Sequence, residues 1–263
     1  MDAPLLPNVP AWLMAVIIFF LVILFNWLGF ILRKRQMQSP LFIEPSGASI
    51  IESSLMGLTA LLVAFTFGMV ASKFEKRRVI IVEEANHIGT AILRCDLFPD
   101  SVRSLLRADF RQYVEARIAS YEVSDDEQKM RTALDTAAFY SGRIWKRVAA
   151  LAHDEPGNRV RYNQMIPALN NMIDIVATRT EGSKAKVPRL ILLVVLLFSL
   201  LSAFLSGYGN KAKRQNFLMI GAFAFMTTVS LYLIMELDRP KQGLINLDVS
   251  EQTMLDLRKM FEE

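Results

Sequence analysis

Four uninterrupted apolar runs, each about as long as a bilayer is thick, restrict this chain more than any other feature. Residues 12–32 (WLMAVIIFFLVILFNWLGFIL), about 50–72, about 190–209 (LILLVVLLFSLLSAFLSGYG) and about 216–235 (NFLMIGAFAFMTTVSLYLIM) lie near the length a helix needs to cross hydrocarbon. Inside lipid every backbone polar group must be bonded internally, so runs of this kind read as helices. The 263 residues are 52% hydrophobic and still 21% charged, so these spans must be joined to a sizeable aqueous part. No Lys or Arg precedes the first run and no small-x-small site closes it. It reads as a retained span and not as a signal peptide.

The spans fall into two pairs. Residues 210–215 are a short link that makes spans three and four a hairpin, whereas residues 33–48, with Pro40 and Pro45, form an extended connection between spans one and two. Residues 73–188 lie between the pairs, and their apolar positions recur at helical spacing. Examples are Val102, Leu105, Leu106, Phe110, Val114, Ile118 and Tyr121, with Asp100 or Ser101 as N-cap. A second helix is expected over 127–152. A third carries Val160, Met165, Ile166, Leu169, Met172, Ile173 and Val176 on its inner side. The expected fold is an all-α membrane protein in four parts: a first transmembrane pair (1–72), an inserted helical aqueous domain (73–188), a second transmembrane pair (189–236) and a C-terminal aqueous segment (237–263).

Chemistry-bearing motifs are scarce. A lone Cys95 excludes an intrachain disulfide framework and a CxxC site. His87 and His153 lack ligand spacing and read as surface or interface residues, so no metal or cofactor is expected. No hydrolase elbow, P-loop, dinucleotide fingerprint or zincin helix is present, and an enzyme is not expected. The carboxylate pairs Glu83/Glu84 and Asp125/Asp126 read as solvated or ion-paired helix charges. Net charge is +4, with basic residues beside the apolar runs. That pattern points to membrane lipid as a partner and not to nucleic acid.

The most informative stretch is residues 61–78, LLVAFTFGMVASKFEKRR, which passes from apolar to charged with no proline. No proline occurs from residue 50 to about 97, so one helix of roughly 70 Å is expected, shared by the membrane and aqueous parts. Its small residues Gly57, Ala60, Ala64 and Ala71 permit close helix packing. A neighbouring side carries Ser54, Gly57, Leu58, Leu61, Phe65, Gly68 and Ser72. That side either meets symmetry copies as a narrow apolar constriction or packs against the other spans. Glu52 and Glu236 are the ionisable groups within the spans, both near span ends. Glu52 is a candidate ring at one pore mouth, with Ser72 and Lys73 at the other.

Basic residues on the two sides of the spans compete to set orientation. Arg33, Lys34, Arg35, Lys211, Lys213 and Arg214 stand against the larger group of Lys73, Lys76, Arg77, Arg78, Lys184, Lys186, Arg189, Arg239 and Lys241. The larger group places the aqueous domain and both termini in the cytoplasm.

LLVAFTFGMVASKFEKRR resembles the end of the second membrane helix of bestrophins. With VEEANHIGTAILRCDLFP (82–99), ALNNMIDIVATR (168–179) and LDRPKQGLI (237–245), it makes the chain similar to the bacterial bestrophin-like domain family. The resemblance implies a homo-oligomer, a pentamer, in a bacterial inner membrane, with the second helix of each subunit around a central path for small anions such as chloride. It makes Leu61 and Phe65 neck residues, with Gly57 one turn earlier. The segment MELDRPKQGLINLDVSE lacks the acidic cluster of calcium-gated members, so no calcium site is expected. The competing expectation is a non-conducting membrane scaffold or sensor whose helical domain binds a partner.

Overall fold

The computed structural model describes residues 9–38, 48–122, 126–154, 159–184, 187–210, 215–239 and 248–262. It is helical throughout, with no strand among the described residues. The helices are α1 (Ala11–Met37), α2 (Ala48–Leu93), α3 (Asp100–Glu122), α4 (Glu127–Asp154), α5 (Arg159–Lys184), α6 (Arg189–Gly209), α7 (Phe217–Asp238) and α8 (Asp248–Asp256). Short 3-10 turns follow α2 (Arg94–Leu97) and α8 (Leu257–Phe261). The chain divides into two compact units, Met1–Phe74 with Lys186–Asn246, and Glu75–Ala185 with Leu247–Glu263. Helix α2 contributes residues to both. The expected extended link over 33–48 needs correction at its start, because α1 continues as helix through Met37. Residues 39–47, with Pro40 and Pro45, lie outside the described residues, as do Lys186, Lys211, Lys213, Arg214, Lys241 and Asp125.

In the first unit four helices are long and apolar enough to cross a membrane. Their core draws on α1 (Ile18, Val22), α2 (Val70), α6 (Val195, Ala203) and α7 (Ala224, Leu231, Ile234). Closest approach is between α1 and α6 and depends on two glycines. A Cβ on Gly29 would fall on the Phe204 carbonyl, and one on Gly207 would fall on the Asn26 carbonyl. The bare backbones therefore touch, which is how helices pack closely where water supplies no driving force. Polar contacts fix the pair at that distance. Asn26 is buried and donates Nδ2 to the Ala203 carbonyl at 3.1 Å, while Gln215 donates to Asn26 Oδ1 at 3.3 Å. At the helix ends Arg33 donates to the Tyr208 carbonyl at 3.1 Å, and the Tyr208 hydroxyl donates to Gln36 at 2.6 Å. Asn216 caps α7 by accepting from the Leu218 and Met219 amides.

The second unit is organised around a carboxylate. Glu84 of α2 is fully buried and accepts from Arg117 Nε at 2.6 Å and from Arg179 Nη1 at 2.6 Å. The Tyr121 hydroxyl adds a bond of 2.8 Å, and the Arg179 guanidinium lies 3.4 Å from the centre of the Tyr121 ring. One acceptor thus ties α2 to α3 and α5 through charge-assisted bonds that no water competes for. A second buried carboxylate, Asp109 of α3, pairs with Arg143 and with Arg147 Nε at 2.9 Å, both on α4. The apolar core around these groups includes Ile88, Leu106, Phe110, Ile118, Ile144, Met165, Leu169 and Met172. The Cys95 thiol is sealed in this core, and burial pushes its pKa up to about 12.

Several expectations need correction. Helix α2 ends at Leu93 and gives way to a 3-10 turn, and does not run as α-helix to about residue 97. Helix α3 starts at Asp100, where Pro99 offers its carbonyl to the Val102 and Arg103 amides. Asp100 is therefore in the first turn, paired with Arg103 at 2.7 Å, and neither it nor Ser101 is the N-cap. In α5, Val160 and Ile173 are exposed, at 72% and 37%. The inward stripe runs through Met165, Ala168, Leu169, Met172 and Ile175 instead, and Val160 and Ile173 fall outside its arc.

The C-terminal segment docks on α3. Met254 and Leu257 are buried, Leu257 approaches Gly89 of α2, and Arg258 grips Glu115 with two bonds of 2.9 and 2.7 Å. These bonds from Arg258 hold the Glu115 carboxyl below its ordinary value. A lowered carboxylate contributes stability that is present above the ordinary range near pH 4 and is lost as pH falls through and below it. The pair is nearly half exposed, so its worth is less than about 1 kcal/mol. Limited proteolysis should therefore release this segment faster at acid pH, and Arg258→Ala should flatten that dependence. Glu84→Gln leaves two guanidinium groups short of their charge partner and should cost about 3–5 kcal/mol, read as a large fall in melting temperature. Tyr121→Phe removes one bond to that buried carboxylate and should cost about 1.5–3 kcal/mol, less than Glu84→Gln.

Candidate functional site: the open side of the second helix

Helix α2 has two unlike sides within the first unit. Thr59, Thr66 and Val70 are buried, and Leu62, Val63 and Ala71 are partly buried against the core. At about 100° per residue these positions fall on one arc of the helix. Thr59 Oγ1 lies 2.9 Å from Ser202 Oγ of α6, and both threonines bond back to the carbonyl four residues earlier. The side that packs is thus a mixture of hydroxyl and aliphatic groups.

The opposite side is open along the whole apolar run. Ser54, Gly57, Leu58, Leu61, Phe65, Gly68 and Ser72 are all exposed, with Leu61 at 52% and Phe65 at 67%. A Cβ built on Gly57 or Gly68 meets nothing within 4 Å. The sequence placed Gly57, Leu61 and Phe65 on one side of the helix, and that side is open among the described residues. The small residues Gly57, Ala60 and Ala64 do not make the close helix packing they permit, because Ala60 and Ala64 are exposed too. Within the chain that role belongs to Gly29 and Gly207.

The expected mouth residues differ in setting. Ser72 is exposed and Lys73 is half-buried. The Glu52 carboxylate lies against Gly209 at the end of α6, close enough that a Cβ there would strike it. Glu236 is buried and bonded by the Tyr232 hydroxyl, and its neighbour Asp238 accepts from the Val187 amide at 3.0 Å. The sequence reading set Glu236 near water at a span end, whereas the chain folds over it. Among the described residues no cluster of His, Cys, Asp and Glu is arranged to hold a metal ion.

Sequence reasoning also missed residues on the packed side. Thr59 and Thr66 recur seven residues apart, and Ser199 and Ser202 face inward on α6. A hydroxyl at helical spacing in an apolar run was the available signal.

A helical chain with four helices long enough to cross a bilayer, one of them a long helix open on its apolar side, defines a class of helical membrane-type protein. The family model of the bestrophin-like domain matches residues 16–252, and the chain belongs to that family. Solved structures share the fold at low identity. Two crystal structures of a bacterial bestrophin homologue from Klebsiella pneumoniae are 12% and 15% identical to it, with TM-scores of 0.70 and 0.68. The matches cover 95% and 93% of this chain and 100% and 98% of theirs. A further crystal structure, described as that of a membrane protein, is 11% identical with a TM-score of 0.71, over 95% of this chain and 98% of its own. A comparison with curated proteins gives no match.

The two kinds of glycine make a direct prediction. Gly207→Ala forces α1 and α6 apart and should destabilise the protein by about 1–3 kcal/mol. Gly57→Ala meets open space inside a helix and should raise the melting temperature of the detergent-solubilised protein slightly, by up to about 1 kcal/mol in stability.

Proposed function

We propose that the protein is an oligomeric membrane channel passing small anions such as chloride, with α2 of each subunit lining the path. The observation that carries this reading is the open apolar side of α2, from Ser54 to Ser72, in a chain of the bestrophin-like family. An apolar side of this length on one helix is what a ring of copies needs around a central axis. In that ring Leu61 and Phe65 form the constriction, with Gly57 one turn earlier, and the path is gated by dewetting of the narrow apolar neck. Ser72 continues the open side to one mouth, whereas Glu52 and Lys73, the other expected mouth residues, leave α2 on its packed side, Glu52 against Gly209.

On the same reading α1, α2, α6 and α7 cross the membrane as two pairs, with the helical aqueous domain inserted between the second and third spans. A pentamer in a bacterial inner membrane, with the aqueous domain and both termini cytoplasmic, follows the family resemblance. Among the basic residues after Ser72, Lys76 is exposed on the open side and favours anions over cations at that end of the path, while Arg77 is buried on the packed side.

Reconstitution in liposomes tests the proposal. Chloride efflux is expected from the wild-type protein, and Phe65→Ala should raise it several-fold by widening the neck. Absence of efflux from folded oligomer, for both proteins and across voltage and pH, supports a non-conducting scaffold or sensor and overturns the channel.

A further inference from the structure

The open side of α2 performs as a constriction only if the helix is held at one angle about its own axis. The apolar contacts on its packed side, from Leu62, Val63 and Val70, resist separation but tolerate turning, because dispersion contacts are individually weak and non-directional. A hydrogen bond is different, since it weakens steeply with distance and angle. Thr59 and Ser202 make such a bond, 2.9 Å long, with both side chains buried in the helix bundle.

We infer that Thr59 is a positioning residue for the constriction: through Ser202 it fixes the rotation of α2 and so sets where Leu61 and Phe65 point. The inference rests on the channel reading and adds to it a named determinant of conductance. Thr59 stands at the centre of the packed arc, with Thr66 and Val70 within about 20° of it around the helix. Leu61 and Phe65 lie about 200° and 240° away, on the far side. A helix turns as a unit, so any rotation that draws Thr59 from Ser202 carries Phe65 by the same angle. Side-chain tips sit about 5–6 Å from the axis, so a turn of about 20° moves the ring sideways by about 2 Å. Repeated in every subunit of a ring, that displacement changes the neck substantially.

The local chemistry suits a lock. The Thr59 hydroxyl can donate one proton, and it lies 2.8 Å from the Leu55 carbonyl of its own helix. Donating there leaves its oxygen lone pairs to accept from Ser202. Both hydroxyls are satisfied together when α2 sits at this angle. Rotation would strand Ser202 Oγ in an apolar bundle, where an unpaired hydroxyl is costly.

The test is liposome efflux with chloride and with a larger anion, on full-length oligomer whose melting temperature is recorded for each variant. Thr59→Val and Ser202→Ala should each raise efflux at least threefold and reduce discrimination against the larger anion. The double variant should match Thr59→Val, which already removes the bond to Ser202 together with the longer contact of 3.5 Å to the Phe198 carbonyl. Thr59→Ser keeps the hydroxyl and should behave as wild type. In a Phe65→Ala background, Thr59→Val should add nothing, since the group it positions is gone; a merely structural role would not produce that dependence. If Phe65→Ala raises efflux while Thr59→Val leaves rate and discrimination unchanged, the lock is overturned and the channel stands. If neither wild type nor Phe65→Ala conducts, both fall together.

Discussion

A helix of 46 residues that packs on only one side constrains everything else in this molecule. Along α2 the buried positions Thr59, Thr66, Val70, Arg77, Ile81, Glu84 and Ile88 recur at close to the helical repeat. The partners of that stripe change in kind. In the first unit they are aliphatic residues and one buried hydroxyl, and in the second they are guanidinium groups and aromatic rings. On the proposed reading lipid surrounds the first unit, where small residues and hydroxyls suffice and charge would be costly. Glu84 belongs to the second unit, where two arginines and a tyrosine can reach it.

The side of α2 left open is chemically coherent. Leu58, Leu61 and Phe65 supply bulk, and Gly57 and Gly68 leave room on either side of them. Among the described residues no other helix covers them, although the four apolar helices share one core. On the proposed reading the missing neighbour is the same surface of other copies. Symmetry then turns a modest stripe into a closed apolar neck, and the hydroxyl pair behind it decides how that neck is shaped.

Much of this architecture was legible from residue pattern. The four apolar runs and the helical periodicity of the intervening segment foretold the all-helical fold, because both depend on local sequence. That Gly57, Leu61, Phe65 and Gly68 share one side of α2 was also visible, but not that the side is open, because the same spacing fits packing against the other spans. Long-range chemistry was not visible. Glu84 looks like its neighbour Glu83, yet Glu83 is exposed and Glu84 is fully buried, because their side chains leave the helix about 100° apart. Nothing local to Arg117 or Arg179 announces that both meet that carboxylate. The same holds for Asn26, whose partners on and after α6 lie more than 170 residues away in sequence. Inward phase in α5 was misjudged for Val160 and Ile173, where apolar character did not coincide with burial.

The central claim is that the Leu61 and Phe65 side of α2 meets its own symmetry copies. A cryo-electron microscopy map of the purified oligomer in lipid nanodiscs tests it most directly. The expected result is a closed ring with α2 innermost and the Leu61 and Phe65 side chains at the narrowest point of the axis. An assembly with α2 at its periphery, or with that side covered by lipid alone, contradicts it.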